Sequence, residues 1–305
     1  MEKDKYIIVN YHYVEDPNPK FSGIYPCEIK EFDWQISLLS SRYKIVSATE
    51  VCEAAKANRP GSFCAITFDD GLKDQYINAL PILEKYGATA AFFPITSVYE
   101  GRLPVAHKTH ILLSRMSASA MIDAIHGFMD EFYPDLAERY RIPKDRRLME
   151  RRPHEEPMTA NMKETLIALP EDIKAQFLRF CFKQIHLDEA KIAQELFMSP
   201  KEILDLQKRG MTIGNHSHSH YAFDIINESV MKNELQISQE VLTGLIGKKP
   251  ETFSYPHGRY GELAKTILAG EGFRYAFTIE RRGVSLNDHP FLIPRFDATD
   301  VRKFL

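Results

Sequence analysis

The chain has 305 residues, of which 44% are hydrophobic and 27% are charged, and its formal net charge at pH 7 is −3. This composition is typical of a globular protein that is long enough to bury a large core. Because there is no basic excess, we expect no nucleic-acid partner. The first apolar run, 6–9, has four residues, so we expect no signal-peptide core, no transmembrane segment and a cytoplasmic location.

Strand-like and helical segments alternate over the first hundred residues. Short β-branched and aromatic runs predict strands at 6–11, 43–46, 63–68 and 89–93. Helical spacing predicts helices at 32–39 and 72–86, and a capping box at 47–50 begins another helix between them. This alternation is typical of an α/β fold with a mainly parallel sheet.

The pattern changes between residues 102 and 198, where the chain is polar and helical and lacks strand-like alternation. We interpret this stretch as a helical insertion within a single domain that spans 1–305. Its segment 141–157 changes from basic to acidic. Such a run is typical of a solvated loop, and docking of an anionic lipid or substrate is the alternative. The charged residues concerned are Arg146, Arg147, Arg151, Arg152, Glu155 and Glu156.

The alternation resumes at Ser199, where a second capping box begins a helix that ends at Gly210. Helices are predicted at 228–246 and 263–268, and strands at 211–213, 252–255, 275–279 and 291–295. Polar clusters follow the strands, at the edge where α/β folds place their sites. The clusters are His12, Asp69 with Asp70, 216–220, 255–258 and Arg295.

The stretch 65–71 reads Ala-Ile-Thr-Phe-Asp-Asp-Gly, a buried strand that ends in two carboxylates. Neighbouring strand residues point to opposite faces, so Asp69 and Asp70 can have different roles. Taken alone, the pair is also compatible with a simple turn in which one aspartate caps the next helix.

Three of the eleven histidines, His216, His218 and His220, lie within five positions. If the segment is extended, all three imidazoles share a face; if it curls, His216 and His220 form an i, i+4 pair. The spacing alone does not say which two would bind a metal ion.

Two histidines and one aspartate suit a catalytic zinc or similar divalent ion. A second aspartate beside the ligand could then act as general base. A thermolysin-like site needs Glu directly after the first histidine, where this chain has Ser217. The two-His, one-carboxylate site of iron oxygenases stays open as an alternative.

The motifs TFDDG at 67–71 and HSHSH at 216–220 together resemble those of the polysaccharide deacetylases of carbohydrate esterase family four. This resemblance implies a distorted (β/α) barrel of about seven strands and covers about 6–99 and 199–300. It implies that Asp69 is the general base and that a metal ion is bound by Asp70, His216 and His220. His218 would contact either the ligands or the substrate.

The segment FSYPHG at 253–258 is similar to the family's third motif, which lines the substrate groove. The resemblance therefore implies substrate contacts from Tyr255, Pro256, His257 and Gly258. That motif often begins with an arginine that orients the base, and this chain has Ser254 there. We hypothesise that Arg295 replaces it from another strand.

The family's late Leu-x-His motif, which supplies the general acid, is missing, because no histidine follows His289. The Tyr11-His12 pair resembles the permuted branch that deacetylates poly-N-acetylglucosamine, in which an N-terminal Tyr-His supplies this group. We therefore predict that His12 is the general acid; a purely structural histidine at a strand end is the alternative.

The resemblance implies a metal-dependent hydrolase that removes an N-acetyl group from an amino sugar. We expect a carbohydrate substrate: a surface glycan or its nucleotide- or lipid-linked precursor, with peripheral contact to a lipid-linked substrate. One alternative is a hydrolase of another amide such as a cyclic ureide. Another is an inactive carbohydrate-binding relative, which Ser254 and the missing late histidine keep open.

Overall fold

The computed structural model describes residues 4–148 and 155–304. Arg151 and Arg152 of the charged segment 141–157, interpreted as a solvated loop with docking as the alternative, lie outside the described residues. The chain divides into two compact units. One consists of 1–16, 26–102 and 191–305, and the other of 17–25 and 103–190. The prediction of one domain with an insertion at 102–198 stays a prediction.

The strands of the first unit are all parallel. They are β1 Tyr6–Tyr11, β2 Lys44–Ile45, β3 Phe63–Asp70, β4 Ala90–Pro94, β5 Thr212–Ile213, β6 Thr252–Ser254, β7 Tyr275–Phe277 and β8 Phe296–Asp297. The main sheet has the order β5-β4-β3-β1-β8, β2 also pairs with β3, and β6 pairs with β7.

Two isolated parallel bridges continue this path around the first unit. Asn215, just after β5, pairs with Phe253 of β6, and Phe277 of β7 pairs with Ile293. Ile293 lies just before β8, and β8 pairs with β1. The path from each strand to its neighbour therefore leads from the main sheet through β6 and β7 back to the main sheet. The fold is therefore the predicted α/β class, a distorted (β/α) barrel with regular pairing over part of its circumference. The predicted last strand at 291–295 is wrong in its position, since β8 begins at Phe296.

The α-helices of the described residues follow the predicted order, with shifted ends. They are α1 Ile29–Arg42, α2 Ala48–Lys56, α3 Leu80–Lys85, α4 Val105–Leu113, α5 Ala118–Phe132, α6 Pro134–Ala137, α7 Pro157–Ala168, α8 Glu171–Gln184, α9 Glu189–Leu196, α10 Pro200–Lys208, α11 Glu228–Ile246, α12 Glu262–Gly270 and α13 Val301–Phe304. The capping box of α10 forms as predicted between Ser199 and Glu202. The predicted helix 72–86 is instead a π-helix, Gln75–Ala79, followed by α3.

The central strands β1, β3 and β4 are buried along their whole length. Alternate residues divide between two apolar clusters, with Ile7 and Val9 in one and Tyr6 and Ile8 in the other. Burial on both faces explains why these strands read as continuous apolar runs. Asn10 follows the row of Tyr6 and Ile8, so the period of two directs this polar side chain to the same face.

The second unit is helical. In its core, Phe128 of α5 packs against Phe177 of α8, with ring centroids 5.5 Å apart. Among the helices of the described residues, none combines the length and the apolar character that crossing a membrane requires.

Candidate metal centre and active site

The end of β3 presents two carboxylates in different environments. Asp69 and Asp70 pair with Phe93 and Pro94 of β4. Asp70 has a φ of 75°, which breaks the strand alternation and turns the chain. Gly71 follows with a φ of 77°, and a Cβ there would lie 2.8 Å from that of Pro94. The glycine of TFDDG is therefore required both by the backbone angle and by close packing.

Three side chains converge beyond this strand end. The Oδ1 atom of Asp70 lies 3.4 Å from His216 Nε2 and 3.6 Å from His220 Nε2. One ligand atom from each residue lies within 4.8 Å of the others, and all three residues are buried. Ligands at about 2.0–2.2 Å from a tetrahedral zinc lie roughly 3.4 Å apart, so these separations fit a single divalent ion.

The backbone of β6 orients the first of these histidines. His216 Nδ1 lies 2.7 Å from the carbonyl oxygen of Ser254. A carbonyl oxygen only accepts, so Nδ1 carries a proton and donates it, and Nε2 is the nitrogen that faces Asp70. Metal-binding histidines usually have such a partner for their second nitrogen.

Backbone strain is concentrated at this centre. Among the described non-glycine residues with positive φ are Asp70, Ser217, His220 and His257. Residues in this region cost of order 1–3 kcal/mol each and persist only where the surrounding structure imposes them. Two of the four, Asp70 and His220, belong to the group Asp70, His216 and His220, which we call the Asp-His-His cluster. The local backbone is therefore shaped to bring these side chains together.

Asp69 is paired with a fully buried arginine. Arg295 Nη1 lies 3.0 Å from Asp69 Oδ1, and Nη2 lies 2.8 Å from Oδ2. Asn10 Nδ2 donates to the same Oδ2 at 2.9 Å. The guanidinium also donates to Ser254 Oγ at 2.9 Å. An arginine from the segment before β8 thus lies beside Ser254 and Asp69, and the hypothesis that it replaces the family's arginine stays a prediction.

The electrostatics of Asp69 favour its ionised form. Burial by itself raises the pKa of this carboxyl, but the Arg295 guanidinium, His216 and His12 together outweigh burial. The pKa of Asp69 is therefore held well below its usual range. A carboxylate with paired, charge-assisted donors stays ionised at neutral pH.

His12 directly follows β1, the neighbour of β3, and is exposed to solvent. Its position is determined by its backbone: Gln75 Nε2 donates to the carbonyl oxygens of His12 at 3.0 Å and of Asp69 at 2.6 Å. Asp74 Oδ2 accepts from Val14 N–H at 2.6 Å. Through Asp74 and Gln75, the start of the π-helix is therefore hydrogen-bonded both to residues 12–14, which we call the His12 segment, and to Asp69.

The middle histidine of the motif is turned away from the Asp-His-His cluster. His218 Nδ1 lies 2.8 Å from Thr96 Oγ1, and Nε2 lies 2.7 Å from Arg102 Nη2. Burial lowers the pKa of His218, and Arg102 adds to this effect while Glu100 opposes it. A neutral ring accepts from the arginine at Nε2 and donates to the threonine at Nδ1.

The FSYPHG segment passes close to the cluster. The ring centroids of His257 and His220 are 4.4 Å apart, and the ring planes are inclined at 65°. Tyr255 is buried and packs against the exposed Tyr260 at 5.2 Å. Gly258 has a φ of 63°, and a Cβ there would lie 2.4 Å from Ile279. Pro256 begins the short 3₁₀ turn that carries His257.

Among the described residues that contact the site, Asn10, Gln75, Glu234 and Thr96 were not predicted from the sequence as site residues. Two carried a detectable signal. Asn10 is a lone amide in the apolar run of β1, and Glu234 lies on the α11 face that also carries Met231 and Leu235. A polar residue on a buried face requires a partner, so it marks a position to examine.

The fold and the site define a (β/α)-barrel protein with a buried carboxylate and two imidazoles at the carboxyl ends of its strands. The family model described as polysaccharide deacetylase matches residues 56–154 and 159–276. Because this is more than half of the chain, the protein belongs to the polysaccharide deacetylase family. His12 and Arg295 lie outside the matched segments.

Curated relatives are similar over a shorter stretch. The poly-beta-1,6-N-acetyl-D-glucosamine N-deacetylase of Staphylococcus aureus strain MRSA252 is 26% identical over 124 residues. This match covers 38% of the chain and 43% of the relative, so less than half of that protein is spanned.

Solved structures are similar over nearly the whole chain. The Streptococcus pyogenes deacetylase PplD has a TM-score of 0.62 at 17% identity, covering 97% of this chain and 92% of that one. IcaB from Ammonifex degensii has a TM-score of 0.60 at 15% identity, covering 98% and 95%. At these identities the likeness establishes the fold.

Proposed function

We propose that the protein is a metal-dependent hydrolase that removes an N-acetyl group from an amino sugar of a glycan. The observation that carries this proposal is the pair of carboxylates at the end of β3. Asp70 faces His216 and His220, while Asp69 is held ionised by Arg295. One carboxylate is thus available as a ligand and the other as a base, which is the division of roles that amide hydrolysis requires.

Asp70, His216 and His220 would hold the metal ion. Their one oxygen and two nitrogen donors suit zinc and leave positions open for water and substrate. When bound, the ion would act as a Lewis acid that polarises the acetamide carbonyl and increases the acidity of water. The hydrogen bond from His216 Nδ1 to Ser254 keeps Nε2 directed at that ion.

Asp69 would accept the proton of the attacking water. Its two oxygens receive three hydrogen bonds from Arg295 and Asn10, fewer than a carboxylate can accept, so one lone pair is left for the water. Arg295 fixes the orientation of the carboxylate through its bidentate contact.

His12 would give a proton to the departing nitrogen. The acetamide C–N bond breaks, water supplies the new C–O bond, and the products are acetate and a free amine. An exposed histidine at the end of β1 can reach a substrate from solvent, and imidazole is the side chain most often used for acid–base catalysis. The resemblance of Tyr11-His12 to the permuted branch supports this role, because an N-terminal Tyr-His supplies the general acid there.

We propose substrate contacts for Tyr255, Pro256, His257, Gly258 and His218. The Staphylococcus aureus relative is named for a β-1,6-linked N-acetylglucosamine polymer, which supports an N-acetylated amino sugar as the substrate class. A nucleotide- or lipid-linked precursor, peripheral contact with a lipid-linked substrate and a cytoplasmic location stay predictions.

The test is acetate release from a panel of N-acetyl sugars, offered free, as oligomers, and linked to nucleotide or lipid. The zinc-loaded protein should release acetate from at least one of them, and Asp69→Asn serves as the inactive control. Release from none of them, with hydrolysis of a cyclic ureide such as allantoin, would favour the alternative amidase. Binding of a glycan without turnover would favour the inactive relative.

A further inference from the structure

The loop that carries the candidate metal-binding histidines has an irregular backbone whose amides are satisfied by side chains. At its start, Ser217 N–H donates to Asn215 Oδ1 at 2.8 Å. At its end, His220 N–H donates to Ser217 Oγ at 3.0 Å. These local bonds accompany the positive φ angles of Ser217 and His220, which stop the segment from continuing as helix or strand.

The two amides in the middle of the loop share one acceptor from a distant element. Glu234 Oε2 accepts from His218 N–H at 3.1 Å and from Ser219 N–H at 2.6 Å. Four successive amides, 217–220, thus have a side-chain oxygen. Because two of them depend on Glu234, this carboxylate sets the curvature of the loop between the candidate ligands.

Glu234 is itself firmly held. It lies on α11, is 3% exposed and shares its face with Met231 and Leu235. One turn later, Ser238 Oγ accepts from Asn215 Nδ2 at 2.9 Å. Helix α11 is therefore hydrogen-bonded to the loop both at its beginning, at Asn215, and in its middle, at His218 and Ser219. A buried carboxylate is costly unless it is hydrogen-bonded, and these amides provide the bonds.

We propose that Glu234 is a positioning residue of the metal centre: its carboxylate fixes the loop so that His216 and His220 reach Asp70 together. The inference rests on the proposed metal site and extends it to a residue that touches neither metal nor substrate. Among the described residues, the Glu234 carboxylate contacts the backbone amides of His218 and Ser219 and the side chains of Ser217 and Ser219, none of which is a candidate ligand. Its effect should therefore be visible in metal affinity even when no substrate is present.

The experiment measures zinc affinity by competition with a chromophoric chelator, together with the visible absorption spectrum of the cobalt-substituted protein. Glu234→Met has a similar size but no acceptor, and should weaken zinc binding about 10- to 100-fold and alter the cobalt spectrum. Glu234→Gln keeps one carbonyl oxygen where Oε2 lies, and should restore affinity to near that of the wild type.

Gln239→Leu is the matched control. Gln239 is buried on the same helix, and its amide donates to Glu271 O, away from the loop. This variant should keep the wild-type zinc affinity and spectrum. Equal loss in Gln239→Leu and Glu234→Met would overturn the proposal, because the effect would then be a general weakening of α11.

Glu234→Asp provides a second route if Glu234→Met does not fold. Its shorter side chain cannot reach both amides, so an intermediate loss of zinc affinity is expected. Unchanged affinity in Glu234→Asp or Glu234→Met contradicts the positioning role but leaves the proposed deacetylase intact. A wild-type protein that binds no zinc overturns both the metal centre and this inference.

Discussion

Asp70 of the Asp-His-His cluster and His12 lie at the ends of the neighbouring strands β3 and β1, but the regions around them are built differently. The cluster is buried, and its histidine loop is held by β6, by α11 and by its own side chains. His12 is exposed and is held through its backbone carbonyl. The buried candidate ligands are thus fixed by their surroundings, whereas the proposed proton donor is open to solvent.

Asp69 lies between these two regions. Its carboxylate is fixed by Arg295 and Asn10, and its carbonyl oxygen shares Gln75 with that of His12. Donors that are already oriented toward a charge act without reorganisation in a medium of low dielectric constant. The comparison therefore predicts large effects for changes at Asp69 and smaller ones toward the His12 segment.

The largest effect is expected for Asp69→Asn. This change removes the proposed base but keeps the size of the side chain, so kcat should fall by about 10⁴-fold, the upper end for general base catalysis. Zinc content should remain that of the wild type. The measurement is acetate release together with metal analysis; Asp69→Asn that retains more than a tenth of the activity would show that another group is the base.

The second effect concerns Arg295→Met, which leaves Asp69 buried without its cation. Breaking a buried ion pair on one side costs about 3–5 kcal/mol of unfolding free energy. Arg274→Met is the control, because Arg274 also contacts two carboxylates but is half exposed, and should cost less than about 1 kcal/mol. Urea unfolding measures both variants.

The double variant Arg295→Met/Asp69→Asn sharpens this result. Without the charge on residue 69, the destabilisation by Arg295→Met should be largely relieved. If turnover by Arg295→Ala stays intact while Asp69→Ala is inactive, Arg295 does not orient the base.

The third effect concerns His12→Ala, which should lower kcat by about 10²-fold through loss of the general acid while zinc affinity stays unchanged. His289→Ala, at another exposed histidine, serves as the control. Steady-state kinetics and metal analysis are the measurements. An unchanged kcat would assign His12 a structural role and would remove the distinction between the two regions.

The smallest effect is a pH dependence at Asp74, which accepts from Val14 N–H in the His12 segment. Burial raises the pKa of Asp74 to about 7, and Glu15 adds to the rise while the backbone hydrogen bonds oppose it. The folded state then keeps a proton that the unfolded state releases near pH 4, so this contribution to stability is lost as pH rises through about 7.

Asp74→Asn should lack this dependence. Wild-type stability, measured by urea unfolding relative to Asp74→Asn, should therefore fall between pH 5 and pH 8. Asp33→Asn, at a surface ion pair with Lys85, is the control. A difference between wild type and Asp74→Asn that does not change with pH would contradict the raised pKa.

Much of the fold could be predicted because its signals are local. The capping box at Ser199, the helix 228–246 and the strands 6–11 and 63–68 depend on neighbouring residues and were found where expected. The late strand was misplaced, because β8 has two residues and is defined by pairing with β1 rather than by its own pattern. The π-helix was not predicted, because over its five residues the spacing of apolar positions cannot be told from that of an α-helix.

The motifs and their places after strands could be recognised in the sequence, because strand periodicity and turn chemistry are encoded within a few residues, and the motifs carried the resemblance to the family. The spacing of the three histidines left open which two meet Asp70, and the structure gives the physical reason for the pair that the family resemblance implied. Ser217 and His220 have positive φ angles, Glu234 holds the loop between them, and His218 lies against Thr96. Only the tertiary structure brought Arg295 to Asp69, which lies 226 residues earlier. Such contacts depend on how distant strands pair, and no local pattern encodes that.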